Sequence, residues 1–125
     1  MSEKQYLVVT DGGYKNGLSY GSFRVFDDSG LTIEHKQFII GLGTNNQAEY
    51  MAILNALKWC LDNGLKRVHI LTDSRLAVKQ VRGEWRTRDS ALKNLVEKVR
   101  KYEAEFETFT IEFVPNKYVK QKLGH

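Results

Sequence analysis

Two segments of the chain have almost the same sequence, and each ends on an aspartate. Residues 8–11 read Val-Val-Thr-Asp, and residues 70–73 read Ile-Leu-Thr-Asp. Such short runs of apolar and β-branched residues are typical of buried strands. In open α/β sheets, ligand clefts form beyond the carboxyl ends of the strands. The pattern therefore predicts two strands that deliver Asp11 and Asp73 to one edge of a sheet.

The composition is that of a globular domain with a hydrophobic core. The chain has 125 residues, of which 42% are hydrophobic, and it contains a single proline. We therefore expect one domain over residues 1–125. There is neither an apolar run of about 18 residues nor a signal-like amino terminus, so we expect a cytoplasmic protein that does not contact membranes. The lone Cys60 cannot form an internal disulfide and is interpreted as a small core residue.

Positive charge is concentrated in one segment of the sequence. Between Arg75 and Lys101 there are nine basic residues and three acidic ones, whereas the net charge of the whole chain is +4. The carboxyl-terminal tail adds Lys117, Lys120 and Lys122 without an acid. A local cationic block indicates a polyanionic partner such as nucleic acid. Solvated helix faces would explain the same composition equally well.

The first third of the chain predicts an antiparallel meander of three strands. Asp11-Gly12-Gly13 is expected to break the first strand, and glycine-containing turns follow at residues 15–17 and 28–30. The three predicted strands cover Tyr6–Thr10, Ser19–Phe26 and Leu31–Ile40.

The remainder alternates between helical and strand patterns. A helix is predicted from about Asn46 to Asn63, because apolar residues recur there at helical spacing: Tyr50, Ile53, Leu54, Leu57 and Leu61. The later elements are a strand at Arg67–Thr72, a helix from Asp73-Ser74 to near Gly83, a helix capped by Ser90, and a strand around Phe109–Phe113 that Pro115 ends. The order βββαβααβ predicts an α/β fold with a mixed five-stranded sheet, three antiparallel strands then two parallel, and helices on its faces.

Three acidic residues at element ends suggest a metal site. Glu49 lies in the predicted first helical turn, on the flank of the apolar stripe, and can lean toward the edge that carries Asp11 and Asp73. Three carboxylates so close would repel one another unless a cation joined them. Oxygen ligands without nearby His or Cys favour Mg²⁺ or Mn²⁺ over zinc.

Each of these acids also has a purely structural interpretation. Asp11 can be a turn residue before two glycines, and Asp73 can cap the helix that it precedes. Glu49 fits the third position of a capping box in which Asn46 is the N-cap. That all three acids meet at one sheet edge by coincidence is a weaker explanation than a shared metal site.

The motifs around these acids resemble those of the ribonuclease H family, type 1, in its compact prokaryotic and archaeal form. The similarity covers about residues 6–115, and the element order also matches. Its matching segments are Thr10-Asp11-Gly12-Gly13, Gly43-Thr44-Asn45-Asn46-Gln47-Ala48-Glu49, Thr72-Asp73-Ser74 and Gln80-Val81-Arg82-Gly83-Glu84-Trp85.

The resemblance implies a ribonuclease-H-like fold and endonucleolytic hydrolysis of the RNA strand of RNA–DNA hybrids. Asp11, Glu49 and Asp73 would be the catalytic metal ligands, holding two Mg²⁺ or Mn²⁺ ions with substrate. We expect the protein to act as a monomer. The RNA–DNA hybrid would be its partner.

The resemblance also implies a set of substrate contacts. Asn45, Asn46 and the backbone of Gly12 and Gly13 would contact the minor groove, where 2′-hydroxyls distinguish RNA from DNA. Thr44 and Asn16 would bind a phosphate of the DNA strand, while Gln80 and Trp85 would line the groove beside the second helix. Turn chemistry for Asn45 and burial under a loop for Trp85 are the structural alternatives.

One part of the family pattern is missing. Family members usually carry a fourth acid on a short helix after the last strand, but residues 114–125 contain none, and Lys122 or Leu123 falls at the expected position. No convincing catalytic histidine is present either, since His35 and His69 lie in or beside strands and His125 is terminal. The sequence is compatible with a working nuclease, a slow one, or a hybrid-binding module without activity. An exonuclease or integrase core of the wider fold group is a further alternative, which Asn45-Asn46 disfavours.

Overall fold

A five-stranded mixed sheet organises the protein, whose computed structural model describes residues 4–124. The strand order is β3-β2-β1-β4-β5. The first three strands pair antiparallel, and β4 and β5 continue parallel to β1. The strands are β1 (Tyr6–Lys15), β2 (Leu18–Phe26), β3 (Thr32–Gly41), β4 (Arg67–Thr72) and β5 (Thr108–Phe113). This arrangement confirms the predicted fold class.

Four helices cover the two faces of the sheet unequally. They are α1 (Asn45–Asp62), α2 (Arg75–Val81), α3 (Ser90–Glu103) and α4 (Asn116–Leu123). Side chains alternate along β1, so Val8 packs into the core formed with α1, α2 and α3, while Val9 packs into a smaller core with Val119 and Leu123 of α4. Cys60 lies fully buried in the larger core, as expected. Within the described residues, no helix has the length and apolar character needed to span a bilayer.

Strand β1 is longer than the sequence predicts. Asp11-Gly12-Gly13 does not end it, because β2 pairs with all three residues and the strand continues to Lys15. The following turn is confirmed at Asn16 and Gly17, both of which have positive φ, the conformation of a type I′ hairpin. Asp11 is therefore inside a strand rather than in a turn, and that structural alternative is wrong.

The amino terminus of α1 also differs from the prediction. Thr44, not Asn46, is the N-cap, and its capping box uses Gln47 at the third position. Glu49 therefore lies in the second turn and takes no part in capping. The interpretation of Glu49 as a capping-box residue is therefore wrong, and its carboxylate is free to point toward the sheet edge that carries Asp11.

The other helix ends show two further differences. Ser74 caps α2, so the alternative in which Asp73 is the cap is wrong, and Asp89 rather than Ser90 caps α3. Helix α4 was absent from the predicted element order, because only Val119 and Leu123 mark a buried face in an otherwise lysine-rich segment. The observed order is βββαβααβα.

Helix α1 crosses β1 in direct backbone contact at Gly12. A Cβ atom on Gly12 would lie 2.3 Å from the carbonyl carbon of Ala48 and 2.4 Å from the amide nitrogen of Glu49. Only a residue without a side chain permits this approach. Gly12 therefore sets the distance between Glu49 and the strand that carries Asp11.

The Gly12→Ala variant should lose about 1–3 kcal/mol of unfolding free energy, because α1 must move away from β1 to admit a methyl group. Urea denaturation measures the loss. Gly43→Ala is the comparison variant and should cost less, since its added Cβ would meet first Gln47 Oε1 of the capping box, at 3.0 Å, and no main-chain atom of α1. Equal stability losses in the two variants would contradict this account of the contact.

Candidate metal and nucleic-acid site

The structure brings Asp11, Glu49 and Asp73 together. One carboxylate oxygen from each lies within 4.8 Å of the other two. The parallel pairing of β1 with β4 explains part of this, because Val9 is the register partner of Leu71, and Asp11 and Asp73 each follow two residues later, Asp73 just beyond the end of β4. Glu49 reaches the same point from α1. Three distant parts of the sequence thus converge at one edge of the sheet.

Burial and mutual repulsion strain this cluster electrostatically. Asp11 and Glu49 are 6% and 7% exposed. Burial, and then the negative charges of Asp73 and Asp11, raise the pKa of Glu49 to about 9, although the backbone N–H of Gly12 donates a hydrogen bond to its carboxylate. A hydrogen bond between the Glu49 and Asp73 side chains raises the pKa of Glu49 further. The cluster therefore holds a proton at neutral pH unless a cation replaces it.

The donor set fits a divalent metal ion. Glu49 Oε2 is buried and accepts no hydrogen bond from any described residue. An unsatisfied buried carboxylate oxygen is costly in a native protein. Three carboxylate ligands are a suitable set for Mg²⁺ or Mn²⁺.

Helix α4 packs against the cluster and contributes residues that sequence reasoning missed. The Asn116 side-chain amide donates a hydrogen bond to Asp73 Oδ2. Lys120, one turn later, borders the same cleft as Asp11. The sequence signal that could have identified them is the four-residue spacing of Asn116 and Lys120, which places both on one face of a helix. That signal is useful only if residues 116–123 are first recognised as helical.

Lys122 and Leu123, predicted to fall at the position of the missing fourth acid, do not face the acidic cleft. Leu123 is 1% exposed and packs in the core beneath α4. The Lys122 ammonium lies 5.6 Å from the ring centres of both Phe26 and Tyr118. Lys120 is the residue that faces the acidic cleft.

The cleft beside Asp11 has a volume of about 620 Å³. Its wall includes Tyr20, Asn16, Gln37 and Lys120. The Tyr20 ring packs over Gly13, where an added Cβ would come within 2.4 Å of its hydroxyl. Burial and the charges of the three carboxylates raise the pKa of Tyr20. Its hydroxyl therefore stays protonated next to the acids.

Several predicted substrate residues lie on the surface near the start of α1. Asn45 and Asn46 are the first two helical residues, and both are exposed, so the turn alternative for Asn45 is wrong. Thr44 is exposed as the N-cap, and Asn16 is exposed in the β1–β2 hairpin. Gly12 and Gly13, in contrast, are buried beneath Ala48 and Tyr20.

Gln80 and Trp85 border a second cleft, between α2, the loop after it and α3. Gln80 is 3% exposed, and its side-chain oxygen accepts a hydrogen bond from Tyr50 at 2.5 Å. Trp85 is 46% exposed, so its interpretation as a hydrophobe packed under a loop is wrong. The indole offers an aromatic surface to a partner, whereas Gln80 mainly connects α1 to α2.

The metal-free protein should lose stability as the pH rises from about 4.5 to 9. Folded Glu49 keeps its proton up to about pH 9, whereas the unfolded chain releases it near pH 4.5, so the folded state binds more protons in this range. Glu49→Gln removes the cost of burying an ionisable carboxyl group, so this variant should be more stable than the wild type at pH 8 in EDTA. The difference in unfolding free energy between the two proteins should disappear near pH 4.5. Urea denaturation at both pH values measures this. Surface variant Glu105→Gln controls for net charge, and identical pH profiles of Glu49→Gln and wild type would contradict the burial of an uncompensated carboxyl.

Comparison with known proteins extends the similarity to nearly the whole chain. The family model described as "Reverse transcriptase-like" matches residues 9–121. Ribonuclease HI of Halobacterium salinarum is 36% identical over 110 residues, which are 88% of this chain and 55% of that protein. The chain thus spans about half the length of this curated relative.

Solved structures show the same fold. The crystal structure of RNase H1 from Halobacterium salinarum superposes with a TM-score of 0.89 at 27% identity and covers 93% of this chain and 89% of that one. LC11-RNase H1, solved in complex with an RNA/DNA hybrid, gives a TM-score of 0.85 at 24% identity, covering 93% and 89% of the two chains. Together with the carboxylate geometry, these matches confirm the resemblance seen in the motifs: the chain belongs to the reverse transcriptase-like family of ribonuclease-H-like domains and is similar to type 1 ribonucleases H.

Proposed function

We propose that this protein is a divalent-metal-dependent endonuclease that hydrolyses the RNA strand of RNA–DNA hybrids. The observation that carries the proposal is the convergence of Asp11, Glu49 and Asp73, with one buried carboxylate oxygen of Glu49 left unpartnered. Similarity to a ribonuclease HI over 88% of the chain supports the choice of substrate.

The three carboxylates would hold Mg²⁺ or Mn²⁺, which when bound supplies an activated water and stabilises charge on the phosphate. The protein's own contribution is rigid placement of its ligands. Gly12 N–H fixes one oxygen of Glu49, and the Asn116 amide fixes one oxygen of Asp73. Asp11 is held within a strand paired on its far side with Ser22 of β2. Ligands positioned in advance need little reorganisation when the phosphate enters.

Hybrid recognition is assigned to the exposed amides at the start of α1. Asn45 and Asn46 stand next to Thr44 and one short helix turn before Glu49, so groups that contact the duplex are rigidly linked to the metal ligands. Amide side chains offer both donors and acceptors to 2′-hydroxyls and base edges in a shallow minor groove. Asn16 and Thr44 are proposed to contact a phosphate of the DNA strand.

The basic segment contributes fewer free charges than its sequence indicates. Arg75 stacks 4.6 Å over the Phe113 ring, Lys79 pairs with Glu84 at 3.0 Å, and the side chains of Arg82 and Arg100 donate to main-chain carbonyls. These residues hold α2 and its loop in place. Arg86 and Lys93, which border the cleft of Trp85, are the proposed contacts to the sugar-phosphate backbone.

A hybrid-binding module without cleavage is the second candidate function. It is favoured by α4, whose residues 116–123 present Asn116 and Lys120 to the site and include no acid. Asp11→Asn separates the two candidates, because hydrolysis needs the metal ligand, whereas electrostatic binding to the duplex does not. We also propose that the protein acts as a monomer in the cytoplasm.

Incubation with a labelled RNA–DNA hybrid and Mg²⁺ or Mn²⁺ should produce fragments of the RNA strand. Asp11→Asn should reduce the cleavage rate at least about 100-fold, since the ligand oxygen that carries charge to the metal is lost. Asp28→Asn, an identical change in the exposed β2–β3 turn, should cleave like the wild type. Gel electrophoresis of the two strands measures both.

No RNA fragment from the wild-type protein with either metal would contradict the nuclease proposal. Salt-sensitive hybrid binding without cleavage would then support the binding module. Failure to bind hybrids would exclude both candidates.

A further inference from the structure

Helix α4 presents a cation to the acidic cleft. Asn116 and Lys120 are four residues apart and therefore lie on the same face of the helix. The Asn116 amide contacts Asp73, and Lys120 borders the cleft that Asp11 also lines. The face of α4 turned toward the carboxylates thus carries an amide and an ammonium.

The position of this lysine is fixed by the packing of α4. Val119 and Leu123, on either side of Lys120 in sequence, are both buried against Val9, Phe26 and Leu71. Arg24 Nη1 donates a hydrogen bond of 3.0 Å to the Lys122 carbonyl, so the end of the helix is tied to β2. The root of the Lys120 side chain therefore cannot turn away from the cleft without unpacking α4.

Lys120 is available for a ligand. Within residues 4–124 it forms no ion pair, in contrast to Lys58 and Lys79, whose ammonium groups bind Asp62 and Glu84 at 2.8 and 3.0 Å. Its side chain is exposed to the cleft. An unpaired ammonium next to a carboxylate cluster attracts anions that bridge lysine and metal, of which a phosphodiester is the obvious case.

Charge balance also bears on the number of metal ions. The three carboxylates carry a charge of −3 when ionised, and the two lysines that border the cleft, Lys15 and Lys120, reduce the net charge to −1, which one divalent ion already exceeds. A second ion would leave an excess of three positive charges in the same cleft, where like charges repel one another. The residues around Asp11 therefore fit one ion well and the two implied by the family resemblance poorly.

We propose that Lys120 binds a non-bridging phosphate oxygen of the nucleic-acid strand at this site and thereby takes the place of a second metal ion, so that the protein holds one divalent ion. The proposal rests on the proposed function, because it assumes a nucleic-acid strand in the cleft of Asp11. Lys120 is then a substrate-binding residue, and its charge, added to that of Lys15 in the same cleft, disfavours a second ion.

Counting bound Mn²⁺ tests the metal part directly. Electron paramagnetic resonance of free Mn²⁺ during titration should give one ion for the wild type and two for Lys120→Asp, which adds a carboxylate where the ammonium was. Lys117→Asp, the same change at an exposed position of α4 outside the cleft, should bind one ion. Two ions in the wild type, or one in Lys120→Asp, would overturn the proposal.

Hybrid affinity at several salt concentrations tests the phosphate contact, in Ca²⁺ with strand integrity verified on a gel. Lys120→Ala should make the slope of log K against log salt shallower by about one, whereas Lys117→Ala should keep the wild-type slope. Equal slopes for the two variants would overturn the proposal while leaving the nuclease intact. If the wild type neither binds nor cleaves hybrids, it is the proposed function that fails.

Discussion

The site depends on the backbone contact between α1 and β1 at Gly12. This contact brings Glu49 down onto the strand that carries Asp11, and the same Gly12 contributes its N–H to the Glu49 carboxylate. The parallel pairing of β1 with β4 adds Asp73 at the neighbouring position. A helix held one side-chain radius farther away would leave the three acids separate. The geometry of the cluster is therefore a consequence of main-chain packing, which fixes where the three carboxylates lie.

Burial turns this geometry into chemistry. Carboxylates at a solvent-exposed edge would repel one another weakly, but Asp11 and Glu49 are almost completely enclosed, so their charges are neither hydrated nor screened. The cluster must take up a proton or a cation. The pKa of about 9 at Glu49 describes the metal-free case, in which a proton is taken up. Helix α4 adds Asn116, which donates a hydrogen bond to Asp73, and Lys120, which borders the same cleft as Asp11. The protein therefore combines a family-typical set of ligands with a cationic neighbour.

Much of the fold and the core of the site follow from local sequence patterns. Alternation and helical spacing predict the sheet, its order of parallel and antiparallel strands, and the buried stripe of α1, because these depend on residues close together in the chain. The end of β1 was mispredicted, since Asp11-Gly12-Gly13 has the composition of a turn and only pairing with β2 keeps it extended. Helix α4 was missed because two buried residues carry its whole apolar face. Lys120 was consequently missed too, and Gln80, which motif matching assigned to a groove, is mainly buried through its contact with Tyr50.

A crystal soaked in Mn²⁺ and measured for anomalous scattering tests the central claim most directly. The account predicts a manganese peak bonded to carboxylate oxygens of Asp11, Glu49 and Asp73, at the point where those oxygens lie within 4.8 Å of one another. A saturated crystal without a peak there, or with manganese bound only at other acids, would contradict it.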